Sequence, residues 1–152
     1  MDIRAFVSAS VLGLAVCTAP AVAQDPAPTH ASGYAWADSC RSCHQEIYDA
    51  WAKTKHASAL DRLSGAEQEK ECVGCHVTGP KTRVMDGRKV LNRGIQCEAC
   101  HGPAAAHATS TVVLGLVKVP PASACEECHN DKSPRFRGFW YDAMKTLVHK
   151  TK

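Results

Sequence analysis

Apolar positions along this chain of 152 residues fall into short runs of different period, not one long pattern. Asp38-Ser39 has the composition of a helix start. Beyond it Ile47, Tyr48, Trp51, Leu60 and Leu63 share an apolar side, which predicts the best helix of the chain as far as about Leu63, with Gly65 ending it. Glu67 to Cys75 reads as a short helical piece closed by Gly79-Pro80. Thr82 to Ile95 reads as a hairpin, with Asp86-Gly87 turning between Arg83-Val84 and Val90-Leu91. Gly102-Pro103 precedes an Ala-rich turn of helix through His107, and β-branched Val112 to Val119 runs to Pro120-Pro121. After a loop at Ser133-Pro134, Trp140, Tyr141, Met144, Leu147 and Val148 predict a C-terminal amphipathic helix. The fold class is therefore mainly α, with short helices, one β-hairpin and long loops.

The first residues follow a different logic. Arg4, the apolar run Ala5 to Val16 and the small-x-small site Ala21-Val22-Ala23 predict a secretory signal over residues 1–23. That run is too short to span a bilayer, and Thr111 to Val119, the next most apolar stretch, has only the length of a strand. Leu14-Ala15-Val16-Cys17 resembles a lipoprotein box, but Val16 stands where a small residue belongs, so Cys17 is expected to leave with the signal. Residues 24–34 are a Pro- and Ala-rich, flexible lead-in, and 35–152 form one domain. Export to the periplasm follows, without a transmembrane segment in the mature chain.

The remaining eight cysteines all lie in one repeated pentapeptide: Cys40-Arg-Ser-Cys43-His44, Cys72-Val-Gly-Cys75-His76, Cys97-Glu-Ala-Cys100-His101 and Cys125-Glu-Glu-Cys128-His129. Cys-x-x-Cys-His is the attachment signature of c-type haem. Two thiols add to the two vinyl groups, and the adjacent imidazole reaches the iron. Four-Cys zinc sites or disulfides could use the paired cysteines, but neither needs a His directly after each pair. With 8 His in 152 residues, four matches in four by chance have odds of about 1 in 10⁵. Four covalent haems c are expected. Their apolar faces would supply much of the core that so few aromatics cannot, so folding should depend on haem attachment.

The haems also change the charge. The apoprotein carries +3, whereas four ferric haems, each with two propionates and one net positive core, add about −4. The holoprotein is then near neutral or slightly acidic. No basic stripe interleaved with aromatics suggests nucleic acid.

Proximal ligation uses His44, His76, His101 and His129, leaving His30, His56, His107 and His149 as sixth-ligand candidates. On one continuous helix His44 and His56 would stand about 18 Å apart, and His101 and His107 project the same way. Neither pair suits opposite sides of one iron. An exchange between the two segments does: His107 with His44 on haem 1, His56 with His101 on haem 3. The chain length between His129 and His149 allows His149 to turn back onto haem 4. Haem 2 is left with His76 alone, His30 or Met85.

The segments Gln45 to Ala57, Cys72 to Gly79, Gly94 to Pro103 and Ser133 to Phe136 resemble the multihaem cytochrome c family typified by the nitrifier tetrahaem protein that accepts electrons from hydroxylamine oxidoreductase. The resemblance covers nearly all of the expected mature chain, which is shorter than the type protein after the fourth motif. It implies the same distal roles for His56, His107 and His149, and a five-coordinate haem 2. It implies electron transfer between periplasmic or membrane-bound redox proteins through closely packed, mostly bis-His haems. The alternative is a haem enzyme reducing a small nitrogen or oxygen species, such as nitric oxide, at the open haem 2. A structural unit of a stacked haem wire is a third reading.

Overall fold

The computed structural model describes residues 33–149. The signal, the lead-in up to Ser32 and the last three residues, with Cys17 and His30, lie outside them. Elements are short, as expected: α1 (Ala37–Cys40), α2 (Gln45–Trp51), the two-residue strands β1 (Met85–Asp86) and β2 (Lys89–Val90), α3 (Cys97–His101), α4 (Ala105–Ser110), α5 (Ala122–Glu126) and α6 (Tyr141–Met144). Short 3₁₀ turns occupy Leu60–Arg62, Glu67–Glu69, Glu71–Cys75 and Lys145–Leu147.

The long first helix does not form. It breaks at the first motif and again after Trp51, where the hydroxyl of Thr54 donates to Trp51 O at 2.7 Å and accepts from Ala57 N. A side chain offering the backbone these alternatives competes with helical bonding. The chain turns instead and docks on the segment before α3: Ile95 N donates to His56 O and Trp51 Nε1 to Ile95 O, both at 2.8 Å. Gly94 (φ +78°) makes the approach possible, since a Cβ there would lie 2.8 Å from His56 O and closer still to Ala57 O.

Two further expectations are corrected. The hairpin turns at Gly87-Arg88, one residue later than expected, with Met85 opposite Val90 and Asp86 opposite Lys89. Beyond it, Thr111 ends α4 in the left-handed region (φ 59°), and Val113, Leu114 and Val119 of the β-branched run are exposed. The C-terminal helix shrinks to α6 and one 3₁₀ turn, leaving Trp140 and Leu147 exposed. The apolar spacing is real, but packing supplies no continuous surface to hold a longer helix. No helix among the described residues is long and apolar enough to cross a membrane.

The apolar core is thin: Leu60, Val73 and Val77, with Leu63 and Val90 against them. The largest fully buried side chains are polar, Asn92 and Thr78. Asn92 Nδ2 donates to Thr78 O, Pro80 O and Thr82 O while its Oδ1 accepts from Val84 N. Thr78 Oγ1 donates to Gly94 O and accepts from Gln96 N at 2.7 Å. Asn92 and Thr78 close the loop between the second and third motifs by meeting its backbone groups.

Candidate functional site

Each Cys-x-x-Cys-His is one helical turn. His44 N and His129 N donate to Cys40 O and Cys125 O, both at 2.9 Å. The third motif is α3 itself, and the second is a 3₁₀ turn in which His76 N reaches Val73 O at 2.9 Å. Positions one, four and five of a helical turn share a face, so both thiols and the imidazole of each motif project together. Two proximal rings are further fixed from behind, with Nδ1 of His76 2.6 Å from Ala59 O and Nδ1 of His101 2.6 Å from Val117 O. A proton on Nδ1 leaves Nε2 as the free donor atom, the usual support for a metal-bound imidazole.

Three of these rings face a second His. Ring centroids lie 6.2 Å apart for His44 and His107, 6.0 Å for His56 and His129, and 6.0 Å for His101 and His149. An imidazole nitrogen sits about 2.0–2.1 Å from its metal and about 1.1 Å from its ring centroid, so two imidazoles flanking one metal have centroids about 6.3 Å apart. The three spacings fit that geometry and are too long for direct hydrogen bonds. Nδ1 of His107 is buried with no hydrogen-bond partner, an arrangement that costs free energy unless another group satisfies it. Burial, then the charge of His129, lowers the pKa of His56, which favours the neutral form a ligand requires.

His107 thus stands opposite His44, as the sequence suggested. The other two placements are exchanged: His56 faces His129 instead of His101, and His149 faces His101 instead of His129. The break after Trp51 is the cause, since docking on Ile95 aims His56 at the fourth motif. Phe139 also stacks on His129, with centroids 5.0 Å apart. Among the described residues no second imidazole faces His76, and Met85 is half exposed.

The eight motif thiols are free. Cys97, then burial, raises Cys40, while Cys40 lowers Cys97. Burial, then Cys125, pushes Cys100 up to about 11. Burial, then Cys75, pushes Cys128 up to about 12. Thiols of different motifs thus act on one another in the order first, third, fourth, second. No group of three or more His, Cys, Asp or Glu among the described residues is placed to hold a metal ion, so the four-Cys zinc arrangement is not assembled.

Paired histidines, a thin apolar core and vinyl-reactive thiols on single helical turns define the fold of a multihaem c-type cytochrome. Residues 39–102 match the family described as cytochrome c554 and c-prime. The three Cys-x-x-Cys-His motifs within that match are of the kind that holds haem c covalently. Cytochrome c-554 of Nitrosomonas europaea is 32% identical over 84 aligned residues, which cover 42% of this chain and 36% of that protein. The match thus spans about a third of the relative's length. The reduced-state structure of cytochrome c554 from the same organism superposes with a TM-score of 0.57 at 22% identity, covering 77% of this chain and 83% of that one. At that identity the superposition shows a shared fold.

Sequence reasoning missed three features of the site. Phe139 against His129, the Nδ1 contacts of His76 and His101, and the buried Glu98 inside the third motif leave no periodic or spacing signal.

Proposed function

We propose that this chain is an exported, periplasmic tetrahaem cytochrome c that passes electrons between redox proteins. The supporting observation is the set of three imidazole pairs at 6.0–6.2 Å. Haem c, when bound, supplies one-electron oxidation and reduction at each of four sites. Cys40 and Cys43, Cys72 and Cys75, Cys97 and Cys100, and Cys125 and Cys128 hold the four groups covalently. His44 with His107, His101 with His149, and His129 with His56 would hold three of the groups by two imidazoles each and so keep small molecules from them. His76 holds the second group alone. The influence of Cys97 on Cys40, of Cys125 on Cys100 and of Cys75 on Cys128 supports the order first, third, fourth, second for the sites. Cleavage near Ala23 releases the mature chain, and residues 24–34 lead into the domain.

His76, which no second imidazole faces among the described residues, supports a second reading, reduction of a small nitrogen or oxygen species at the second site. An open cleft beside that motif carries Lys70, Lys81 and Arg83 among its lining side chains. Electron transfer is the better supported reading because three of the four sites are closed. A reversible coulometric titration of the holoprotein tests it: four electrons per chain, with covalent haem that acidic acetone fails to extract, is the expected result. Two or three electrons per chain would refute the count.

A further inference from the structure

The third motif contains a buried carboxylate. Glu98, directly after Cys97, is 3% exposed. Its Oε1 accepts from Ala35 N at 2.8 Å and Ala104 N at 2.7 Å, and its Oε2 from Trp36 N at 2.8 Å. No Lys, Arg or His forms an ion pair with it among the described residues. All three contacts come from N–H donors, and they use both oxygens. A carboxylate meets them, whereas the NH₂ of an amide would confront a donor. Gln96 shows the contrast on the same N-terminal segment. Its Oε1 accepts from Ala37 N at 2.7 Å, and its Nε2 donates to Leu91 O and Arg93 O. The fold thus uses an amide at 96 and selects an acid at 98.

The position of this acid matters for the proposed haem sites. It lies inside the third motif and accepts from Trp36 N, and Cys40 Sγ of the first motif donates to Trp36 O at 3.7 Å. Glu126 and Glu127 beside the fourth motif are exposed, and water and salt screen them. Glu98 is shielded from that screening.

We propose that Glu98 fixes an unscreened negative charge between the first and third haem sites and makes that pair harder to reduce than it would be without it, with a smaller effect on the fourth and second. The proposal rests on the tetrahaem reading. A nearby negative charge favours the oxidised, more positive state of each group, because reduction removes one positive charge. Glu98 thereby biases electrons towards the fourth and second sites. Glu98 acts as a positioning and tuning residue and touches no reacting atom.

The test compares wild-type holoprotein with Glu98→Gln and Gln96→Ala in potentiometric titrations that resolve the four reduction steps. Haem is first counted by mass, and a count other than four overturns the site assignment at once. With four haems present, Glu98→Gln should raise two of the steps by about tenfold in reduction equilibrium, roughly 59 mV for one electron, and move the other two less. Gln96→Ala loosens the same backbone segment without changing charge. It should lower the urea midpoint and leave all four steps in place. Four unmoved steps in Glu98→Gln, or equal movement in Gln96→Ala, would overturn the proposal. Should Glu98→Gln not mature, Glu98→Asp against Glu98→Asn makes the same comparison of charge at constant length, with higher steps expected in Asn only.

Discussion

Replacing Gly94 by Ala tests the junction that sends His56 to the fourth motif. Gly94 sits at φ +78°, where an L side chain costs about 1–2 kcal/mol. The new Cβ would also meet His56 O at 2.8 Å and Ala57 O more closely, both backbone atoms that cannot swing aside. Separating the segments strains the bonds Ile95 N to His56 O and Trp51 Nε1 to Ile95 O, both 2.8 Å, each worth about 1 kcal/mol net. The expected loss is roughly 3–4 kcal/mol in total. Gly87→Ala is the control: φ is +54° and nothing lies within 4 Å of the added Cβ, so only the conformational cost of about 1–2 kcal/mol remains. Urea unfolding of the two holoproteins measures both losses, and the visible spectrum of Gly94→Ala should show His56 leaving its iron. Equal destabilisation by the two substitutions, with wild-type spectra, would refute the argument that backbone contact at Gly94 places His56.

Asn92→Ala removes four hydrogen bonds from a fully buried site; a loss of about 3 kcal/mol or more in urea unfolding is expected, and a loss below about 1 kcal/mol would contradict the polar-core account. His56→Ala and truncation after Leu147 should each convert one low-spin haem to high spin, and different haems in the two cases. Phe139→Leu should perturb the electron paramagnetic resonance signal that His56→Ala abolishes, because Phe139 stacks on His129; perturbation of the signal lost on truncation would restore the pairing expected from sequence.

The residue types of the site are legible in the amino-acid sequence, because Cys-x-x-Cys-His repeats at intervals of 32, 25 and 28 residues leave little else to explain. His56, His107 and His149 stand out as imidazoles left over. For His56 and His149 the pairing is not legible. It depends on a local event, the Thr54 hydroxyl turning the chain after Trp51, which apolar periodicity does not register. Helical spacing from Ile47 to Leu63 suggests one element where tertiary docking makes several shorter ones. The expected hairpin lies one residue out of register, since Asp86 pairs with Lys89 and the turn falls on Gly87-Arg88 instead of Asp86-Gly87. Asn92, Thr78 and Glu98 are lone polar residues within loops and motifs, and burial of such residues has no pattern in sequence.

A spin count of the ferric holoprotein by low-temperature electron paramagnetic resonance tests the central claim most directly. His44 with His107, His56 with His129 and His101 with His149 predict three low-spin haems, and His76 alone predicts one high-spin haem per chain. Four low-spin signals, or more than one high-spin signal, would contradict the assignment.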